Sequence, residues 1–415
     1  MKKHIFICYF CGLLLATYRG IAEEFIIIFS VVLGVLRIKK RVDLLRINKV
    51  VFPFIFFLLY YGIITILGFV KGIVDVESLI LFLVLLVLLP FSMVQLMSIS
   101  KDVRYNSVID LKNFIFLSSI YGTVEYLFRY NPIYLVMNIP SSEWIINMNN
   151  SLGVYQPSSF FLHYTYYGSL LLLGIVLLMV FPYKKKMLNI LSFFLLSQQI
   201  FLAQSRICWI AYVFILLFYI FLTKRISVKK FKKKLLYIVL SAILSVFFII
   251  LLNPDLIINF LHTIIKRFST LFIYGFDDGS LGQRVGTLMN WPKYFHKNNI
   301  QGLFGSGFNT IDNVFLNEYS YFRGYMTADC QYVSLLIGTG VLGLFIFLYS
   351  FVKVYFKSSK LTSSGIFLKL LLVSYAIQCI TYDITTYFIF IPFLWGVVLY
   401  GTEKKQKGCN SNFIL

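Results

Sequence analysis

Long apolar runs alternate along the chain with short polar segments that are rich in Lys and Arg. The runs are about 15–22 residues long, close to the ~20 residues that a helix needs to cross a hydrocarbon core of about 30 Å. The regular alternation of apolar and polar residues that a membrane β-barrel needs is absent. The pattern therefore predicts an all-α polytopic membrane protein.

The apolar runs predict about twelve transmembrane helices. These spans cover residues 5–18, 21–36, 50–70, 79–99, 111–129, 160–181, 187–204, 207–222, 235–252, 330–352, 369–385 and 387–400. A single long polar segment interrupts them after the ninth span. The chain is accordingly divided into spans one to nine (1–252), an external loop that contains short helices (253–329), spans ten to twelve (330–400) and a cytoplasmic tail (401–415).

The basic residues predict the orientation, because cytoplasmic loops of membrane proteins carry an excess of Lys and Arg. With both termini in the cytoplasm, the cytoplasmic segments contain 28 of the 38 basic residues. The net charge of +21 then largely reflects this excess of basic residues on the cytoplasmic side. The basic run 229–234 is interpreted as a cytoplasmic anchor at the lipid headgroups, and no nucleic acid partner is expected.

Composition agrees with this class. The chain is 59% hydrophobic and only 13% charged, whereas a typical soluble domain is about 25% charged. The six cysteines form no disulfide framework, and no Cys/His spacing is typical of zinc. The sequence contains no nucleotide-binding glycine motif, which argues against an ATP-driven pump. We expect neither a metal nor a cofactor.

The first candidate functional site is the turn Gln204-Ser205-Arg206 between the seventh and eighth spans. The basic segments that flank these two spans place the turn on the external side. Arg206 has two interpretations there. Its side chain either reaches lipid phosphates or binds an anionic group of a substrate, which suits its planar guanidinium.

The segment 130–159 forms a second external loop. Glu125 and Arg129 lie one helical turn apart just before it, so they are predicted to pair on one helix face. An ion pair at a membrane edge is more typical of structure than of catalysis.

The long loop 253–329 contains the other candidates. It includes Arg284, Trp291 and His296, followed by Gly305 and Gly307. A Gly-x-Gly segment allows sharp turns and N–H groups that face a phosphate, although it usually only marks a turn. Aromatic rings such as Trp291 and Tyr294 offer flat faces to sugars, or else belong to an interfacial belt.

The loop ends at Asp329, at the start of the tenth span. A helix cap is the simplest explanation for an acidic residue at this place. Its functional interpretation is a general base that accepts a proton from a sugar hydroxyl. His296 is a second candidate for this base.

The arrangement resembles the superfamily of bacterial O-antigen polymerases and O-antigen ligases. Its members carry an Arg at an external turn in mid-chain, an Arg within a long external loop, and a motif at the loop exit. That motif is a His followed by Asn, Ser or Gln, nine residues and Gly-x-x-Gly. Arg206 and Arg284 match the two arginines, and Asp329-Cys330, nine residues and Gly340-Val341-Leu342-Gly343 match the spacing. Asp329 and Cys330 depart from the ligase residues, which favours a polymerase.

The resemblance implies a metal-independent glycosyltransferase whose donor is an oligosaccharide on a polyprenyl, usually undecaprenyl, pyrophosphate. Arg206 and Arg284 would then stabilise the leaving pyrophosphate and Asp329 would act as the base. Further substrate-binding residues are expected at Ser205, Trp291, His296, Gly305, Gly307 and Arg323. Membrane lipids, a chain-length regulator and a flippase are the other expected partners, and the bacterial cytoplasmic (inner) membrane is the expected location.

Two other functions stay open from the sequence. An O-antigen ligase would transfer the glycan from the lipid carrier to another acceptor. A flippase for lipid-linked oligosaccharides would be a transporter, a class that is typically marked by internal repeats and by charges near span midpoints. No repeat is visible, and the acidic residues of the spans, Glu23, Glu24 and Asp383, lie near predicted outer ends.

Overall fold

The computed structural model describes residues 52–88, 101–133, 155–161, 163–223, 282–320, 328–360 and 362–381, together with Ile265 and Ser269. Throughout these ranges the regular structure is helical, and no strand occurs in them. The chain forms two compact units. The first contains residues 1–37, 96–257 and 360–374, and the second contains residues 38–95, 258–359 and 375–415.

The described helices of six or more residues are named here in chain order. They are α1 (Phe52–Val70), α2 (Val76–Phe82), α3 (Lys101–Phe128), α4 (Tyr164–Val180), α5 (Lys186–Leu202), α6 (Arg206–Thr223), α7 (Trp291–Lys297), α8 (Asn299–Phe304), α9 (Gln331–Lys357) and α10 (Ser363–Gln378). Three π-helical turns accompany them, at Leu83–Leu88, Gly282–Gly286 and Asp312–Leu316.

Three of the described helices are long and apolar enough to cross a membrane, namely α1, α6 and α9. They coincide within a few residues with the predicted spans 50–70, 207–222 and 330–352. Helices α4, α5 and α10 are apolar but shorter. The predicted spans 5–18, 21–36, 235–252 and 387–400 lie outside the described residues, so the total of twelve stays a prediction.

The first unit is organised around α4. Every residue of this helix from Tyr167 to Val180 is buried, because α3, α5 and α6 all pack against it. A helix that is apolar on all sides is stable only when neighbours cover every face. Close approach depends on small residues at the contacts: a Cβ at Gly174 would lie 2.7 Å from Ile115 and 3.0 Å from Leu196.

Two helices begin earlier than the apolar pattern predicted. Helix α3 starts at Lys101 rather than near residue 111, and α10 starts at Ser363 rather than near residue 369. Lys112 and Lys369, near the predicted starts of these two spans, are therefore inside helices and are buried. The Lys112 ammonium group donates to the Phe181 carbonyl at 2.6 Å, which gives this buried charge a polar partner.

The predicted pair of Glu125 and Arg129 is wrong. Arg129 is exposed at the end of α3 with a φ of +52°, whereas Glu125 is buried. The Glu125 carboxylate accepts hydrogen bonds from the backbone N–H groups of Ser158 and Ser159, at 3.1 and 2.6 Å, and from the Tyr155 hydroxyl at 2.9 Å. The partner of this acid is thus a loop about thirty residues later, which helical spacing alone does not reveal.

In the second unit, α1 packs along α9 through a column of aromatic rings. The Phe57 ring lies 5.2 Å from Phe347, and Phe54 lies 5.6 Å from Phe351. Pairs of this kind contribute about 0.5–1.5 kcal/mol beyond the area that they bury. Further along, a Cβ at Gly343 would lie 2.8 Å from the Tyr60 ring, so glycine is needed for the two backbones to approach.

Helix α9 is interrupted at Gly340, whose φ of 67° and ψ of −177° are not helical. The segment that follows α8 packs into this break. The Ser306 and Gly307 N–H groups donate to the Ile337 and Gly338 carbonyls at 3.0 and 2.9 Å. The break therefore exposes carbonyl groups that the loop satisfies, as buried backbone requires.

Gly305 lies in close contact with the break in α9 and yields the first prediction. Its φ is +98°, and a Cβ there would lie 2.5 Å from the Thr339 backbone. Gly72 has a similar φ of +71°, but a Cβ there would meet no atom within 4 Å. We expect Gly72→Ala to cost about 1–2 kcal/mol from left-handed strain alone, and Gly305→Ala to lower the melting temperature of detergent-solubilised protein considerably more. Equal melting temperatures would contradict a role for Gly305 in close packing.

Candidate active site

Arg284 is the centre of the site. It lies in the π-helical turn Gly282–Gly286, a local geometry that frequently marks functional sites. Its Nε donates to the carbonyl oxygens of Asp329 and Thr381, both at 2.9 Å. These two bonds set the orientation of the guanidinium group and connect three chain segments that are far apart in the sequence.

Asp329 faces the same guanidinium group. The distance from Arg284 Nη2 to Asp329 Oδ2 is 3.6 Å, longer than the 2.7–2.9 Å of a tight charge-assisted hydrogen bond. The two side chains are 20% and 38% exposed, respectively. This loose, partly exposed ion pair leaves both a cation and a carboxylate accessible to solvent.

The helix-cap interpretation of Asp329 is not supported. Cys330 is the N-cap of α9, and its side chain makes no capping hydrogen bond. Asp329 stands one residue earlier with a φ of +49°, in the left-handed region that non-glycine residues rarely adopt. Left-handed strain at a non-glycine residue is typical of functional sites, where the surrounding structure enforces it.

The turn after α10 completes this arrangement within the second unit. The Gln331 N–H donates to the Cys379 carbonyl at 2.9 Å, and Arg284 binds Thr381 two residues further on. The apolar pattern predicts a span over residues 369–385 and gives no indication of this turn. No sequence signal identifies it, because the acceptors are backbone carbonyls, which every residue type carries.

The structure explains the spacing of the loop-exit motif. The residues between Cys330 and Gly340 form the first part of α9, and Gly340 is the position at which that helix breaks. Asp329 thus directly precedes the N-cap of this helix segment, and the first glycine of Gly-x-x-Gly ends the segment. The second glycine, Gly343, allows the approach of Tyr60 on α1.

A small aromatic core lies beside the site. Tyr294 is fully buried in it, with ring-centroid distances of 5.4 Å to Phe315 and 5.6 Å to Tyr319. Burial, with a smaller effect of Tyr319, raises the pKa of the Tyr294 phenol to about 12, so this group stays neutral at physiological pH. The suggestion that Tyr294 offers a flat face to a sugar is wrong, because no face of the ring is accessible. Trp291 packs against the same core and remains partly exposed.

The structure gives different outcomes for the other loop residues that were predicted to bind substrate. His296 is exposed at the end of α7, and no described hydrogen bond or ion pair joins its side chain to Arg284 or Asp329. The N–H groups of Gly305 and Gly307 donate to Gln301 and Gly338, so the structure gives these glycines a packing role rather than an open phosphate cradle. Arg323 lies outside the described residues.

The turn with Arg206 belongs to the first unit. Helix α5 ends at Leu202, Gln204 adopts a φ of +54°, and α6 begins at Arg206, so the predicted tight turn is present. Ser205 is buried, and its carbonyl accepts the first hydrogen bond of α6, from the Trp209 N–H at 3.1 Å. Arg206 is half-buried. Its binding of a substrate stays a prediction.

The chemistry available at Arg284 and Asp329 is anion binding together with proton transfer. A guanidinium group with a fixed orientation binds phosphate oxygens well, and a neighbouring carboxylate accepts a proton from a hydroxyl group. Within the described residues, no group of three His, Cys, Asp or Glu side chains is arranged to hold a metal ion.

In a comparison with known families, Arg284 and Asp329 lie inside one matched region. Residues 191–348 match the family model described as O-antigen ligase. This range contains α6, the loop with Arg284, Asp329 and the break in α9. No curated protein matches the chain. The match supports a general function in O-antigen assembly, and it confirms over residues 191–348 the resemblance of this chain to the superfamily of O-antigen polymerases and ligases.

Proposed function

We propose that this protein is a polymerase that joins lipid-linked oligosaccharide repeat units into a surface polysaccharide. The observation that carries the proposal is the ion pair of Arg284 and Asp329 at the start of α9, within the region similar to the O-antigen ligase family. The donor would be an oligosaccharide on a polyprenyl pyrophosphate. Its polyprenyl tail would lie in the bilayer, its pyrophosphate would bind an arginine, and its sugars would occupy an aqueous cleft.

The proposed reaction is a single glycosyl transfer. A hydroxyl oxygen of the acceptor repeat unit forms a bond to the anomeric carbon of the donor glycan. The bond from that carbon to the pyrophosphate oxygen breaks, and polyprenyl pyrophosphate leaves. Asp329 takes the hydroxyl proton, and Arg284 stabilises the negative charge that develops on the leaving group. Arg206 is proposed as a second cationic residue on the grounds of its sequence position.

The residue at the start of the loop-exit motif favours a polymerase over a ligase. Asp329 occupies the position at which the ligase pattern has a His. A carboxylate and an imidazole differ in charge and in proton affinity at neutral pH, so we expect the acceptor to differ as well. The family description itself favours the alternative, a ligase that transfers the glycan to another acceptor.

Reconstitution distinguishes these functions. Purified protein in proteoliposomes would receive repeat units on undecaprenyl pyrophosphate, with or without a lipid A core acceptor. We expect a ladder of products that mild acid releases from the lipid carrier, whether or not the core is present. Transfer to the core without a ladder would show a ligase. Movement of unextended repeat units across the bilayer would show a flippase.

The location and partners form part of the same proposal. We propose the bacterial cytoplasmic (inner) membrane, with undecaprenyl pyrophosphate-linked repeat units as substrate and O-antigen or capsule as product. A flippase would deliver the repeat units, and a chain-length regulator would limit the polymer. Affinity capture of the detergent-solubilised protein from its own cells tests the two protein partners.

Topology is predicted from the distribution of the basic residues, with both termini inside and residues 253–329 outside. A cysteine probe at Gly279 should react with an impermeant maleimide added to intact cells. A probe at Lys230 should react only after the membrane is permeabilised. Labelling at Lys230 in intact cells would reverse the orientation and contradict an external active site.

A further inference from the structure

Helix α8 exposes an apolar face although it lies in a polar segment of the sequence. Ile300 is 72% exposed, Leu303 is 38% exposed and Phe304 is 43% exposed. Their spacing of three and four residues places the three side chains on one side of the helix. Exposed apolar patches commonly mark surfaces that contact lipid or another molecule.

The end of α8 is held deep along α1. The Tyr60 hydroxyl donates to the Phe304 carbonyl at 2.8 Å and also contacts the Thr339 carbonyl at 3.0 Å. Tyr60 lies ten residues before the end of α1 at Val70, which is about 15 Å along a helix axis and roughly half of a ~30 Å hydrocarbon core. Phe304 therefore lies beside the middle of a candidate membrane span.

The exposed face of α8 adjoins the exposed side of that span. Tyr60 is on the same stripe of α1 as Phe56, Ile63 and Leu67, which are 54%, 59% and 50% exposed. A long apolar stripe on a candidate span is typical of a surface that faces lipid. Phe304, bound to Tyr60 through its carbonyl, extends this stripe.

Exposed apolar side chains also border α8 on the side of α9. The Leu303 carbonyl lies against Gly340, where α9 breaks. Directly after the break, Val341, Leu342 and Phe345 are 38%, 39% and 68% exposed. The apolar face of α8 is thus bordered on both sides by exposed apolar side chains of candidate spans.

The backbone after α8 satisfies the condition for insertion at this depth. Irregular backbone is tolerated inside a membrane only where its polar groups are bonded within the protein. The N–H groups of residues 305–307 all donate to backbone carbonyls, and the Phe308 N–H donates to the Thr65 hydroxyl at 3.2 Å. The segment carries no charged side chain from Asn299 to Phe308.

We propose that residues 299–308 form a re-entrant membrane element, with Ile300, Leu303 and Phe304 in contact with lipid acyl chains. The element enters from the side of the bilayer at which α1 ends at Val70, and it fills the break in α9. It does not depend on the proposed reaction, because it rests only on the packing of α8 against α1 and α9.

Fluorescence quenching in liposomes tests this element. Ile300→Cys would carry a polarity-sensitive fluorophore in a variant whose native cysteines are replaced. Lys293→Cys, an exposed polar position on α7, is the matched control. We expect nitroxide-labelled phosphatidylcholine to quench the label at residue 300 several-fold more strongly than the label at residue 293, and iodide in the buffer to show the reverse order.

Two outcomes would overturn the proposal. Equal quenching of both labels by iodide would place α8 in water. Protection of residue 300 from both quenchers would show that protein covers the face, as a second copy or a partner would. Leu303→Cys repeats the measurement, and size-exclusion chromatography of each labelled variant confirms that it is folded.

Discussion

Asp329→Asn should accumulate in the membrane and leave only single repeat units on the lipid carrier. An amide has no useful affinity for a proton, and loss of a general base typically lowers the rate by about 10²–10⁴. The substitution conserves shape, and Asn tolerates the left-handed φ of +49° that Asp329 adopts. The backbone at the start of α9 should therefore persist. Gel electrophoresis of the polysaccharide, with immunoblotting of the membrane fraction, measures both effects.

Glu318→Gln is the matched control for this variant. Glu318 also pairs with a basic residue, since Lys297 Nζ lies 2.8 Å from its carboxylate, but both side chains are more than 60% exposed. This pair raises the pKa of Lys297 and lowers the pKa of Glu318. We expect Glu318→Gln to produce a normal ladder. Normal polymer from Asp329→Asn would show that Asp329 is only a structural partner of Arg284, and His296 would become the next candidate base.

Arg284→Lys should abolish long-chain polymer although the positive charge is retained. The Nε group of Arg284 binds two backbone carbonyls at 2.9 Å while its Nη2 faces Asp329. A lysine ammonium group is a single point and cannot fill these positions together. Removing one preorganised donor to a developing anion typically costs about 10²–10³ in rate. Initial rates of repeat-unit consumption in proteoliposomes provide the measurement.

Arg129→Lys supplies the control for Arg284, because Arg129 is exposed at the end of α3. Its rate and melting temperature should equal those of the unmodified protein. A drop in melting temperature of Arg284→Lys, with a normal rate at low temperature, would show that Arg284 only connects chain segments. Arg206→Lys is tested separately in the same assay, and a normal rate there would remove Arg206 from the proposed site.

The helices of this protein were predictable where the apolar run and the helix have the same length. Spans 50–70 and 207–222 differ by at most two residues at either end from α1 and α6. The prediction failed where polar residues extend a helix, as in the first turns of α3. Hydropathy detects only the apolar part of a helix, so these polar turns give no hydropathy signal.

The candidate site was only half predictable. Arg284 and Asp329 were recognised from residue type and from the spacing to Gly340, but their ion pair was not, since 45 positions separate them. The sequence equally permitted a helix cap at Asp329. The structure instead places Cys330 at the N-cap position of α9, and the Asp329 side chain faces Arg284.

Polarity and residue spacing were sufficient to predict the membrane class, the positions of α1, α6 and α9 and the order of the motif residues. These features are local, since they depend on residues that are close together in the chain. Contacts between distant groups appear only in the folded structure. The carbonyl of Thr381 holds Arg284, the loop at Ser158 and Ser159 holds Glu125, and the break at Gly340 accepts Gly305. Each of these contacts depends on backbone groups and on packing between distant segments, so no local pattern of side chains specifies it.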